Sequence, residues 1–210
     1  MHALVQVLDY GSGNLFSIGD ALGRVSPDIK VNVSSKYQKG KIGGLVLPGV
    51  GSFTSAQRIL GENRKAILDD IESGMPILGV CLGMQLMFEK SEEGTGKGLE
   101  LFRGNVLKFK PEPNLKVPHM GWNNLKISNA KSLICKGLSK EEWVYYVHSF
   151  YPSPEDEGIV SGWTTYGTQR FPAVIERYNI FGTQFHPEKS SKAGFKMIRN
   201  FARCVLAYSR

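Results

Sequence analysis

The chain has 210 residues, enough for one full hydrophobic core but cramped for two domains of ordinary size, so residues 1–210 are expected to form a single domain. With 41% hydrophobic and 21% charged residues its composition is ordinary for a soluble globular protein, and no apolar stretch is long enough to cross a bilayer. The formal charge of +7 is uneven: residues 1–100 carry 10 Lys and Arg against 11 Asp and Glu, whereas residues 101–210 carry 16 against 8.

Leu4 to Leu8 is a short apolar run that predicts a buried strand. Gly11-Ser12-Gly13-Asn14 reads as a turn, and residues 14–24 as a helix. Leu45-Val46-Leu47 predicts a second buried strand, closed by Pro48-Gly49-Val50-Gly51. A helical stretch follows over 52–73, with a break expected near Gly61. Pro76 to Val80 predicts a third strand, and residues 82–90 a helix. Strands alternating with helices imply a parallel sheet. The second half is richer in strand signals, at 104–109, 122–127, 143–148, 158–163, 172–177 and 180–185. A last helix is expected over 191–207, with Ile198, Phe201, Ala202 and Val205 on one core-facing side.

The start Met1 to Asp9 has no Lys or Arg and an early Asp, so no signal peptide is read there and the cytoplasm is the expected location. Three cysteines with no CxxC spacing argue against a disulfide framework and against cysteine-held metal. Cys204 reads as a small hydrophobe on the last helix, and Cys135 receives no role. The basic second half fits a solvated surface or a docking face for an acidic partner. It lacks the basic runs with interleaved aromatics that mark nucleic-acid binding. Gly11-Ser12-Gly13 and Gly96-Lys97 each miss required positions of the dinucleotide and phosphate-loop patterns, so no nucleotide cofactor is expected.

Gly79-Val80-Cys81-Leu82-Gly83 has the G-x-nucleophile-x-G pattern of a strand–turn–helix elbow. Such a turn exposes the sulfur at a helix N-terminus, where unpaired N–H groups and the dipole favour thiolate. Alone, the pattern also fits a buried cysteine in a β–α turn. Phe185-His186-Pro187-Glu188 follows a predicted strand, and at a strand end side chains two apart project to the same side. Glu188 is then placed to hold the His186 ring, and His186 to act as base and acid, although a surface turn would read the same way. In Pro48-Gly49-Val50-Gly51 two glycines free backbone N–H groups to face an oxyanion, or simply make a tight turn. All three lie at carboxyl ends of predicted strands, where open α/β sheets bind ligands, and together they are far more specific than any one alone.

With PGVG at 48–51, GVCLGMQ at 79–85 and FHPEKS at 185–190, the chain resembles the class I (triad) glutamine amidotransferases over essentially its whole length. DYGSGN at 9–14, PHMGWN at 118–123 and YYVHSFY at 145–151 narrow the resemblance to the glutaminase subunits of imidazole glycerol phosphate synthase. The resemblance implies an open α/β fold: a mixed, mostly parallel sheet flanked by helices, with additional antiparallel strands from the second half. It implies Cys81, His186 and Glu188 as the triad, and the backbone N–H groups of Val50 and Leu82 as the oxyanion hole. It implies Gly51, Gln85, Ser149 and Phe150 as the glutamine site. Gln85, one helical turn beyond Cys81, faces the same side on spacing alone. It further implies L-glutamine as substrate, no cofactor or metal, and a heterodimer with a cyclase subunit of (β/α)8 architecture that receives the ammonia. Met120, Trp122, Asn123, Tyr145 and Lys189 are the interface candidates by position, with His119 structural or interfacial. A glutaminase of pyridoxal phosphate or anthranilate synthesis, and a stand-alone cysteine γ-glutamyl hydrolase, remain alternatives within the same fold.

Overall fold

The computed structural model describes residues 2–11, 15–49, 51–113 and 115–210. The chain begins with β1 (Ala3–Leu8), α1 (Phe16–Val25), β2 (Ile29–Ser34), β3 (Gly44–Leu47), α2 (Phe53–Glu72), β4 (Ile77–Val80) and α3 (Leu82–Gln85). It continues through β5 (Lys90–Ser91), β6 (Gly104–Lys108), β7 (His119–Ile127), β8 (Glu141–His148) and β9 (Phe150–Pro154). β10 (Val160–Tyr166), β11 (Gln169–Arg177), β12 (Ile180–Thr183) and α4 (Ser191–Tyr208) complete it.

Nine strands form one sheet in the order β2-β1-β3-β4-β12-β11-β10-β7-β8. The first five are parallel, and from β12 onward each neighbour is antiparallel. β12 is therefore the seam: it runs parallel to β4, with Thr183 beside Val80, and antiparallel to β11. A smaller sheet, β5-β6-β9, stands apart from the main one. This is the mixed α/β architecture expected of the sequence.

The parallel strands are buried on both faces because helices cover both. Val5, Val7, Val46, Leu78, Val80 and Phe181 pack with α1 and α4, while Leu45, Leu47, Ile77 and Ile180 pack with α2. On α4, Met197, Ile198, Phe201, Ala202 and Val205 are all buried, each larger side chain worth about 1.5–3 kcal/mol of transfer from water.

Two helix boundaries differ from expectation. α2 runs unbroken through Gly61. A lone glycine costs about 1 kcal/mol, less than the burial of Ala56, Leu60, Ile67 and Ile71 along one face returns. α3 stops at Gln85 instead of reaching residue 90. The carbonyls of Leu86 and Met87 accept from Leu99, Leu101 and Phe102, so they are taken by an incoming loop and not by another helical turn. The dipole behind Cys81 is accordingly that of a single turn.

Candidate active site

Cys81 sits between β4 and α3 with φ 47° and ψ −104°, a backbone conformation that costs a non-glycine residue about 1–3 kcal/mol. Two contacts hold it there. Its N–H donates to the Thr183 carbonyl at 2.7 Å, tying the end of β4 to the end of β12. At Gly83, a Cβ would lie 2.0 Å from the Leu47 carbonyl oxygen, so only glycine lets α3 pack this close to β3.

Because β12 ends beside β4, the residues after Thr183 reach the sulfur. His186 is buried, and its Nδ1 lies 2.8 Å from Glu188 Oε1. The carboxylate can only accept, which leaves Nδ1 as the donor and Nε2 as the working nitrogen. Among the described residues, Nε2 is buried with no hydrogen-bond partner. Burial works to lower the affinity of the ring for a proton, but the Cys81 and Glu188 side chains outweigh it and raise His186 to about 10. Gly49 packs against both ring and cysteine: a Cβ there would lie 2.8 Å from His186 Cε1 and 3.0 Å from Cys81 Cβ. This arrangement offers a thiol, a base that can take its proton, and a carboxylate that holds the base.

A pocket of about 270 Å3 opens on the sulfur. Gly49, Gly51, Leu82, Gln85, Ser149 and Phe150 line it. So do Glu93 and Val147, whose carbonyl is 3.8 Å from Cys81 Sγ. The N–H of Leu82 opens α3 and has no intrahelical acceptor. Val50, the other expected oxyanion donor, lies outside the described residues. Gln85 is buried and spends its amide hydrogens on the Phe150 carbonyl and Gln184 Oε1, at 2.9 and 3.2 Å. It therefore offers a ligand only its oxygen.

The family model for glutamine amidotransferase class-I matches residues 6–204. The chain belongs to the class-I glutamine amidotransferases, in their HisH branch. It is 42% identical over 204 residues to the imidazole glycerol phosphate synthase subunit HisH of Nostoc punctiforme, covering 96% of each chain. The HisH of Geobacillus kaustophilus is 44% identical, with 94% of this chain and 95% of that one covered. Among solved structures, a putative GMP synthase subunit from Thermoplasma acidophilum superposes with a TM-score of 0.76 at 22% identity, over 100% of this chain and 96% of the other. That likeness speaks to the fold. As a member of this amidotransferase family, the chain is a glutamine-hydrolysing enzyme subunit.

The remaining candidates separate by strand face. In the β7–β8 register Met120 opposes Val147, Trp122 opposes Tyr145 and Asn124 opposes Trp143. Met120, Trp122 and Trp143 are 63%, 51% and 61% exposed, and Tyr145 is half-buried against Trp122, so an aromatic face looks outward. Trp143 was not among the residues singled out from sequence, although it alternates with Tyr145 as one strand face requires. Asn123 points the other way, to His119 and the Thr165 carbonyl. Lys189 is exposed in the 3-10 turn after His186.

His119 and His148 are buried together at 3.1 Å, and burial is the main cause that lowers both, to about 4 and about 3. They stay neutral in an aromatic cluster with Phe109, Tyr146 and Phe171. Cys135 is a core residue, pushed up to about 12 chiefly by burial, and Cys204 is half-buried on α4.

Two polar residues at the site were missed. Glu93 is raised by burial, against the Phe53 N–H that it accepts. It lies in a loop whose glycines draw attention to phosphate patterns, and only the folded chain brings it to the pocket. Gln184 directly precedes the Phe-His-Pro-Glu motif, and its amide reaches the sulfur at 3.5 Å.

Proposed function

We propose that this chain is the glutaminase subunit of an imidazole glycerol phosphate synthase. It hydrolyses L-glutamine to glutamate and ammonia through a glutamyl thioester on Cys81. The ammonia passes to a cyclase subunit of (β/α)8 architecture, which forms imidazole glycerol phosphate and AICAR on the route to L-histidine. The observation that carries this reading is Cys81 in a strained elbow beside the His186–Glu188 pair, in a chain alike over nearly its full length to HisH subunits.

His186 Nε2 takes the thiol proton, and the sulfur attacks the carboxamide carbon of glutamine. The N–H groups of Leu82 and Val50 receive the charge that develops on oxygen, each such donor being worth about 3 kcal/mol in the transition state. His186 returns the proton to the departing nitrogen, and ammonia leaves behind the thioester. His186 then draws a proton from water, the hydroxyl adds to the thioester carbon, and glutamate departs as the thiol re-forms. Glu188 keeps Nε2 aimed and stabilises the imidazolium of both half-reactions. Gly51, Gln85, Ser149 and Phe150 shape the glutamine site, and the carboxylate of Glu93 suits the α-ammonium group.

Ammonia is mostly protonated in neutral water and then cannot attack, so its delivery must be dry. The face of Met120, Trp122, Trp143 and Tyr145 suits a partner surface that seals the path, and it borders the site through the Val147 carbonyl. Lys189, one residue past Glu188, suits an acidic group on that partner, with Asn123 supporting the strand from behind.

The decisive experiment is Cys81→Ala in the complex with the cyclase. We expect glutamine hydrolysis to fall by about 10^4-fold or more while the variant still folds. Substantial surviving hydrolysis would sink the assignment. Rescue of a histidine auxotroph by the parent chain, and not by Cys81→Ala, tests the pathway.

A further inference from the structure

The hydrolytic steps above give Gln184 no task, yet it is fully buried with one end of its amide against Cys81 Sγ. Which end that is follows from the neighbours. The Phe150 carbonyl can only accept, and it lies 2.9 Å from one end of the Gln85 amide, which is therefore the NH2. The same NH2 faces Gln184 at 3.2 Å, so Gln184 turns its oxygen to Gln85 and its own NH2 to the sulfur at 3.5 Å.

The Phe150 carbonyl orients a second arm in the same way. His148 Nδ1 lies 2.8 Å from it and must donate, which leaves His148 Nε2 to accept from His119 Nδ1. His119 Nε2 then accepts from the Asn123 amide at 3.2 Å, and that amide also donates to the Thr165 carbonyl at 3.0 Å. Both rings are neutral in this chain, which is the state their burial imposes. Every hydrogen bond from Asn123 to the sulfur thus has one allowed direction, and the carbonyl of Phe150 sets it.

We propose that Gln184 is a positioning residue for the Cys81 sulfur, donating a hydrogen bond that favours the thiolate and fixes the direction in which it attacks. The proposal deepens the assignment of Cys81 as nucleophile and rests on it. A donor stabilises an anionic sulfur more than a neutral thiol, and in a dry site the difference grows. α3 contributes only one turn of dipole, so a side-chain donor is needed where a longer helix would have helped. No proton or electron pair is transferred to Gln184: its orientation, imposed through Gln85, does the work.

Two near-isosteric variants test this. Gln184→Met keeps the length and removes both polar ends, and Gln184→Glu keeps the acceptor toward Gln85 but turns an acid on the sulfur. In the full chain, iodoacetamide alkylation is followed at the Cys81 peptide by mass spectrometry from about pH 5 to pH 10. Glutaminase kcat and KM are measured in the complex with the cyclase. For Gln184→Met we expect the alkylation profile to move about one unit to higher pH, with kcat down about tenfold and KM within about threefold. For Gln184→Glu the profile moves further. A purely structural role would lower the melting temperature and kcat but leave the alkylation profile in place. An unmoved profile in either folded variant overturns the proposal. Were the parent to show no Cys81-dependent hydrolysis, it is the nucleophile assignment that would fail, and the Cys81→Ala control separates the two outcomes.

Discussion

In the parallel half of the sheet, β3 and β4 are buried at every position, and the chemistry gathers in the turns beyond their carboxyl ends. At the antiparallel end, β7 and β8 alternate: one face carries His119, Leu125, Tyr146 and His148 into the core, and the other shows Met120, Trp122 and Trp143 to solvent. The first region spends its strand ends on a strained thiol, and the second divides its residues between a satisfied polar core and an outward aromatic face. β12 joins them, parallel to the strand of Cys81 and antiparallel to the rest. His186 and Glu188 leave that seam, so the proposed base stands where the half that carries Cys81 meets the half that suits a partner.

The largest effect outside Cys81, the proposed nucleophile, is expected at Gly49. A Cβ there meets the His186 ring at 2.8 Å and the Val80 carbonyl at 3.0 Å, so Gly49→Ala must push the ring from its place beside Cys81. A displacement of about 1 Å in a catalytic group costs roughly 10^2-fold in rate. We expect kcat in the complex to fall by that factor while the antiparallel end, monitored by tryptophan fluorescence, stays folded. An unchanged kcat would show that ring placement across the seam is less strict than the packing implies.

A smaller effect is expected from Glu188→Gln, which keeps the shape of the carboxylate and removes its charge. Burial lowers His186, but Cys81 and Glu188 raise it on balance to about 10, above the ordinary histidine value of 6.5. A group raised on folding stabilises the fold fully below its unfolded value and loses that contribution as pH climbs through the folded one. The parent should therefore exceed Glu188→Gln in stability by about 1–2 kcal/mol at pH 6, with the gap narrowing toward pH 10. Urea unfolding at a series of pH values measures it. A gap that stays level with pH would remove Glu188 as the cause of the raised value.

The same contrast explains what could be read before folding. The parallel half was legible because strands buried on both faces leave unbroken apolar runs, and because the Cys81 and His186 motifs, ambiguous singly, stand together with Pro48-Gly49-Val50-Gly51 at predicted strand ends. β2 escaped notice although Ile29, Val31 and Val33 alternate, since an edge strand is half polar. β9 was hidden by Pro152 and Pro154, which an edge strand of the small sheet tolerates. The early end of α3 depends on carbonyls claimed by residues 99–102, a long-range event with no local mark. Glu93 and Gln184 were invisible as site residues for the same reason: their partners, the Phe53 N–H and the Cys81 sulfur, lie 40 and 103 residues away.

The smallest expected effect is at Lys189, where the basic second half comes within three residues of His186. Lys189 is exposed, and among the described residues it has no ion-pair partner within the chain. Its charge is therefore available to an acidic group on a docked cyclase, and no internal pair must be broken to use it. Lys189→Ala should weaken association about fivefold near physiological salt, as expected for a charge at the rim of an interface. Glutamine hydrolysis at saturating partner should be nearly unchanged, because Lys189 is not among the residues that line the pocket beside Cys81. Raising the ionic strength shortens the screening length from about 8 Å toward 3 Å and should erase the difference between parent and variant. Measuring association by titration at both salt levels distinguishes the possibilities. A loss that persists at high salt would assign Lys189 to packing, and no loss at either level would move the partner's acidic contact to another residue of the basic half.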